Sequence, residues 1–250
     1  MALSKEVLER TRKVIPEGNY IVEKSTPVLS FGNPLTSTVA TLGINPSSGE
    51  FLYGKDQPLL KGNEKRLVDF ETLNISKPRE LTDEESELVV EGCNNYFKTG
   101  NHYKWFLKAE EQILKPAGFT YFGDQASACH LDLVQWATDP VWSGIKEPAI
   151  RRNLLKEDKE FLRFQLTNYK FKYVFLNGGT VLKQFDKLKI ANLKAVHQVT
   201  RNSSGGIHEV YRGEANGTIF LGWGINATSD DANKTGLVEL KAWIKQELTK

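Results

Sequence analysis

The run Gly43-Ile44-Asn45-Pro46-Ser47-Ser48-Gly49 concentrates small, polar and turn-forming residues directly after an apolar, β-branched stretch, Ser37 to Ile44. An Asn amide is too weak a base to take a proton, but it can hold and polarise a water molecule. Pro46 restricts the turn, and Ser47, Ser48 and Gly49 let the backbone come close to a phosphate or a flat ring. Read plainly, Asn45-Pro46 is also a turn that ends a strand. Three more polar residues stand in or just after short apolar runs: Asp132 in Ala128 to Val134, Asn177 after Tyr173 to Leu176, and Asn226 after Thr218 to Trp223. An ionised Asp only accepts hydrogen bonds, whereas an amide both donates and accepts. Asp132 has a structural alternative, capping a helix or pairing with Arg151 or Arg152, and Asn226 reads equally as a loop amide.

Such residues need a frame that gathers strand ends. The start of the chain reads as an amphipathic helix. After the Ser37 to Ile44 strand comes an irregular polar and aromatic stretch from Glu50 to Lys77. Thr82-Asp83-Glu84-Glu85 opens a helix to about Tyr96, and a second helix spans about Tyr103 to Leu114, stopping before Pro116. Ala128 to Val134 reads as a strand, Pro148 to Leu166 as a long amphipathic helix, and Tyr173 to Leu176 as a third strand leading into a short helix. Ile207 to Gly213 and Thr218 to Trp223 flank Asn216-Gly217, a tight-turn dipeptide, and a helix over about Lys234 to Leu248 closes the chain. Strands alternating with helices predict an α/β fold, a three-layer sandwich around a mostly parallel central sheet. Sites in such sheets gather at the strands' carboxyl ends, which groups Asn45, the segment after Asp132, Asn177 and the Gly224 to Asp231 loop at one edge.

Composition narrows the class. With 250 residues, 40% hydrophobic and 26% charged, the chain can bury a substantial core, and it has no repeat or long linker, so a single domain over 1–250 is expected. No apolar run approaches the ~20 residues that span a bilayer, and the first residues do not read as a signal peptide, so no membrane association and a cytoplasmic location are expected. Cys93 and Cys129 are too few for a disulfide framework or an iron–sulfur cluster and read as buried thiols. None of the four histidines, His102, His130, His197 and His208, has metal-ligand spacing. No metal or cofactor is expected, and nothing calls for an obligate protein partner. A net charge of +2 means that nucleic-acid contact would come from a local patch.

Gly43-Ile44-Asn45-Pro46-Ser47 resembles the first motif of the uracil-DNA glycosylase superfamily, written GINPG in its mismatch-specific branch and GQDPY in its classical branch. The order of later elements is similar too. In that family a middle strand carries a base-reading side chain, a further strand follows, and a last strand ends in a second motif, HPSP or NPSG, before a closing helix. Here His130 to Val134, Val174 to Gly178 and Phe220 to Ser229 hold those places, so the resemblance runs from about Thr26 onward, with only the first motif close residue by residue.

The resemblance implies a DNA glycosylase that hydrolyses the bond between a flipped-out base and its sugar and leaves an abasic site. Cleavage develops positive charge on the sugar and negative charge on the base while water attacks the anomeric carbon. Asn45 matches the water-positioning residue. Asn226 matches an Asn that replaces His in some second motifs, although Ala227 stands where Pro is usual. Asp132 stands where several branches place an Asn that reads uracil; an acceptor there complements the exocyclic amine of cytosine. Ser47 replaces the bulky Tyr that excludes C5 substituents in the classical branch. Both departures point to a modified cytosine, as in the antiviral branch that removes glucosylated hydroxymethylcytosine from phage DNA.

Phe51, Tyr53 and Phe70 are candidates to stack on the base, with Phe51 best spaced, and Asn177 is a further base-binding candidate. Trp136 and Trp142 are candidate pocket walls. DNA contacts are expected from Ser48, Gly49, Thr228, Ser229 and the loop carrying Arg201, Ser203 and Ser204. Two alternatives stay open: a repair glycosylase for uracil or mismatched thymine, and a non-catalytic DNA- or nucleotide-binding module on the same fold.

Overall fold

The computed structural model describes residues 3–16, 18–54, 58–200, 206–229 and 234–250. They fall into two compact units, one of 1–33, 44–103 and 131–165 and the other of 34–43, 104–130 and 166–250.

In the first unit, helix α1 (Lys5–Thr11) is capped by Ser4, whose hydroxyl accepts the Val7 N–H. Helix α2 (Asp83–Asn94) opens with the expected capping box: Thr82 Oγ1 accepts the Glu85 N–H at 3.3 Å, and the Glu85 carboxylate accepts the Thr82 N–H at 2.9 Å. Ile21, Val134, Trp136, Ile145 and Leu154 form an apolar cluster. Arg10 and Asp158 face each other beside it at 3.0 Å, both side chains nearly without solvent contact. Asp158 Oδ2 accepts the Gln135 N–H at 2.6 Å, Arg10 Nε donates to Gln135 Oε1 at 3.0 Å, and the Arg10 guanidinium lies 4.8 Å from the Trp136 ring centre. This buried network ties down the segment that follows Asp132.

The second unit carries a six-stranded sheet: β1 (Val39–Gly43), β2 (Ala128–Asp132), β3 (Tyr173–Asn177), β4 (Lys194–Thr200), β5 (Ile207–Ala215) and β6 (Thr218–Trp223), in the order β2-β1-β3-β6-β5-β4. Leu131 and Asp132, which end β2, belong to the first unit. The sheet is mixed and mostly parallel: β1, β3 and β6 run parallel, while β5 and β4 are antiparallel additions. The ends of β1, β3 and β6, at Gly43, Asn177 and Trp223, therefore share one edge, as expected for this fold class.

Helices α5 (Gly179–Leu188) and α6 (Lys234–Glu247) cover opposite faces of β6. Phe220 meets Phe185 of α5 with ring centres 4.8 Å apart, and Trp223 meets Trp243 of α6 at 6.5 Å. Residues three apart on a strand point to opposite faces, so the two contacts define a layer on each side. Asn216 and Gly217 both take positive φ, 52° and 80°, the primed turn that matches strand twist in a hairpin.

Helix α4 (Pro148–Asn168) spans the expected segment. The expected 103–114 helix is shorter as α3 (Trp105–Ala109) and continues as a π-helical turn over Glu110–Leu114 and a 3₁₀ turn over Lys115–Ala117. Pro116 fits that early 3₁₀ position, where its lack of an N–H costs little. Strand β4 was not expected from the sequence, because it is an edge strand with most residues exposed and no apolar alternation. It contains His197, while β5 contains His208.

Candidate functional site

Strand β1 hands the chain to Asn45, half-buried in the first unit. Its Nδ2 donates to Pro46 O at 2.9 Å and to Thr138 Oγ1 at 3.0 Å, with Trp136 O at 3.4 Å. Two of these partners are carbonyls, which only accept, so turning the amide over would set oxygen against oxygen. The two carbonyls thus fix Oδ1 as the acceptor end of the Asn45 amide. Ser47 pairs with the same Thr138 segment through an isolated parallel bridge.

The next residues wall a cleft of about 500 Å³ lined by Ser47, Ser48, Gly49, Tyr53, Arg66 and Tyr103, with Glu64, Asn101, Asp139 and Pro140 among the other walls. Its volume is within the range of small-molecule sites. Gly49 is required by close approach, since a Cβ there would stand 2.9 Å from Tyr103 Cε2. The Gly49 N–H is spent on Ser47 Oγ at 3.2 Å and its carbonyl accepts from Arg66 Nη1, so this residue lines the cleft without offering a free backbone N–H to a phosphate. The Arg66 guanidinium also lies 5.8 Å from the Tyr103 ring centre.

Behind this wall sits Glu50, only 2% exposed. Tyr103 N–H donates to Tyr96 Oη at 2.8 Å, and Tyr96 Oη–H donates to Glu50 Oε2 at 2.7 Å. Burial pushes the Glu50 carboxyl up to about 8; Tyr96 and Arg66 pull it down, and Asp132 adds to the rise by like-charge repulsion. Asp132, at the end of β2, is 3% exposed, and its carbonyl accepts from Gln135 Nε2 at 3.0 Å. The Ser47-to-Glu50 spacing is that of a helix cap, and Ser47 does cap the 3₁₀ turn Ser48–Glu50. A cap reading hides Glu50 from sequence inspection, and Arg66, Tyr96, Tyr103 and Thr138 carry no local signal at all.

In the second unit, Asn177 Oδ1 accepts from Trp223 Nε1 and from the Ala227 N–H, both at 3.0 Å, while its Nδ2 donates to Asn226 Oδ1 at 3.2 Å. Thr228 Oγ1 accepts from Trp105 Nε1 at 2.9 Å and donates to Asn226 Oδ1 at 2.8 Å. Asn177 and the buried Thr228 therefore hold the loop after β6 in place. Asn226 is exposed with its oxygen engaged, which leaves Nδ2 as the outward donor. The Ser229 N–H closes the turn onto Asn226 O at 3.0 Å.

The expected residues thus divide by unit, Asn45, Ser47, Ser48, Gly49, Phe51 and Asp132 in the first and Asn177, Asn226, Thr228 and Ser229 in the second. Phe51 and Phe70 are core residues at 2% and 4% exposure, because their rings fill the unit's interior; the aromatic residue of that group in the cleft is Tyr53. Trp136 is likewise buried, and Asp139, Pro140 and Val141 supply the wall in its place. Arg201, Ser203 and Ser204 lie outside the described residues.

His130 is structural: its Nδ1 lies 2.6 Å from Thr41 Oγ1, and its ring is flanked by Trp105 and Phe106. Both cysteines are buried free thiols, and burial pushes Cys129 up to about 12. Among the described residues no three His, Cys, Asp or Glu side chains gather into a metal-holding group, and no helix is long and apolar enough to cross a membrane. Neither the family models nor the curated proteins compared with this chain include a match.

Proposed function

We propose that the chain is a cytoplasmic, monofunctional DNA glycosylase that hydrolyses the base–sugar bond of a flipped, C5-substituted cytosine such as glucosylated hydroxymethylcytosine, in a role of antiviral defence. The observation that carries the reading is the locked Asn45 amide, whose nitrogen is held by Pro46 O and Thr138 Oγ1 so that Oδ1 is a fixed acceptor. A fixed acceptor holds one water O–H and leaves the water's lone pair to attack the anomeric carbon as the bond to the base breaks; the proton that the attacking water gives up passes to solvent, and the base leaves as an anion that takes a proton from solvent. Preorganisation of this kind lowers the barrier because nothing has to reorient as charge develops. Asp132 is assigned to accept from the cytosine amine, and the cleft beside Ser47 gives room for a C5 substituent.

The test is abasic-site formation on matched duplexes carrying uracil, 5-hydroxymethylcytosine or its glucosylated form. The expected result is cleavage of a modified cytosine, with Asn45→Ala slower by roughly 2–4 kcal/mol in barrier while the protein stays folded. Preference for uracil would turn the reading to repair. Absence of abasic sites on every substrate would overturn it.

A second reading is a DNA-binding module without chemistry, favoured by the commitment of Asn177 and Thr228 to internal bonds. Its signature in the same assay is retention of modified DNA with no base released.

A further inference from the structure

The cleft beside Ser47 has a lining unlike that of an anion site. Among the described residues, the charged groups that line it are Arg66, Glu64 and Asp139, so carboxylates outnumber cations. A DNA phosphate, which only accepts hydrogen bonds and is itself negative, would meet them at a cost.

Three side chains on the same lining are held in place by bonds to their own surroundings. Tyr53 is 47% exposed, yet its hydroxyl donates to Glu64 Oε2 and accepts the Lys61 N–H at 3.3 Å, so an aromatic ring open to solvent is fixed at both sides of its oxygen. Asn101 Nδ2 donates to Asn63 O at 3.1 Å and to Glu64 O at 2.7 Å. Both partners are carbonyls, which fixes Oδ1 as the acceptor end of that amide. Arg66 is anchored through Nη1 to Gly49 O and by the Tyr103 ring, 5.8 Å away, and its Nη2 bonds to no described residue.

A fixed acceptor, a fixed donor and an aromatic face suit a neutral ring that carries several hydroxyls, because a hydroxyl both donates and accepts. The volume of about 500 Å³ is ample for one such ring. We propose that the cleft is a hexose subsite, in which the Tyr53 ring takes the C–H face of a pyranose, Asn101 Oδ1 accepts from one hydroxyl and Arg66 Nη2 donates to another. The subsite rests on the glycosylase reading above and deepens it: the C5 sugar is bound, and a glucosylated base is chosen over the same base with a bare hydroxymethyl group.

The test compares single-turnover base release from two duplexes that differ only in the sugar, one with 5-hydroxymethylcytosine and one with its glucosylated form. Wild type is expected to favour the glucosylated duplex by about tenfold or more, the order for one or two well-placed hydrogen bonds. Tyr53→Leu removes the ring and Asn101→Leu removes the acceptor, and each is expected to lower that ratio by roughly fivefold or more. Tyr53→Phe keeps the ring and is expected to keep most of the preference. A wild-type ratio near or below one overturns the proposal. So does an unchanged ratio in folded Tyr53→Leu and Asn101→Leu, or an equal loss on both duplexes, which would make these residues structural.

Failure of the glycosylase reading shows separately, as wild-type protein that forms no abasic site on any duplex. The subsite is then tested without chemistry, by titrating methyl glucoside and, in a second sample, inorganic phosphate, and following amide shifts by NMR. Shifts with the glucoside at residues 47–54, 64–66 and 101–103, absent with phosphate and lost in Tyr53→Leu, support the subsite. Shifts there with phosphate, or none with the glucoside, overturn it.

Discussion

Asn45 Nδ2 and Thr138 Oγ1 lie 3.0 Å apart, a side-chain hydrogen bond that joins the turn after β1 to the segment after β2. Thr138 is fully buried, so its hydroxyl serves the amide and not solvent. The Pro46 and Trp136 carbonyls set which end of the Asn45 amide is nitrogen, and the Thr138 hydroxyl adds a third partner that holds it there.

Thr138→Val is expected to keep the fold and loosen the amide. The lost contact is worth about 1–2 kcal/mol, or roughly tenfold in single-turnover base release, while Thr138→Ser stays close to wild type. Equal rates for all three proteins would show that the Pro46 and Trp136 carbonyls suffice.

Asp132→Asn tests the acceptor assigned to the cytosine amine. An amide can turn to offer a donor, so the ratio of excision on a cytosine derivative to excision on uracil is expected to fall by roughly 5- to 100-fold, the range for an unpaired buried partner. The readout is the ratio of the two rates, measured on paired substrates. A uniform loss on both bases would mean that Asp132 supports the fold, and an unchanged ratio would remove the basis for cytosine.

Glu50 also ties stability to pH. Its native carboxyl is held at about 8, against an ordinary value of 4.5. Between these values the unfolded chain has released the proton and the native state still binds it. Stability therefore falls as pH rises across this window, by up to about 1.4 kcal/mol per pH unit, and the Glu50 contribution is flat above it. Urea unfolding at a series of pH values is expected to show this slope in wild type and its loss in Glu50→Gln.

Arg10 and Asp158 form an ion pair at 3.0 Å with almost no solvent contact. Arg10→Met leaves Asp158 buried and unpaired, at an expected cost of about 3–5 kcal/mol. Burial already pushes Asp158 upward, and loss of Arg10 removes its main opposing influence. The deficit against wild type should narrow as pH falls and Asp158 takes a proton, which thermal melting at acid and neutral pH would show. A deficit independent of pH would mean that lost packing on Trp136 is the larger effect.

Local patterns in the sequence determined the fold class and most of the elements. Thr82 and Glu85 mark the start of α2, Asn216-Gly217 marks the hairpin, and the apolar runs ending at Gly43, Asp132, Asn177 and Trp223 are the strands whose ends carry the polar residues. These features depend on a few neighbouring residues, so they are written in the chain. The edge strand β4 was not legible because exposure removes the apolar alternation that marks a strand.

What each side chain is used for was decided by tertiary structure. Phe51 and Tyr53 are both aromatic and two residues apart, yet one fills the core and the other lines the cleft. Asn45 and Asn177 both stand at the ends of parallel strands, but Pro46 and the distant Thr138 hold only the nitrogen of Asn45, whereas distant partners engage both ends of the Asn177 amide in the loop after β6. Glu50 gains its distinction from Tyr96, Arg66 and Asp132, which lie 46, 16 and 82 positions away in the numbering. Hydrogen-bond direction and burial depend on groups brought together through space, and no local spacing in the sequence records them.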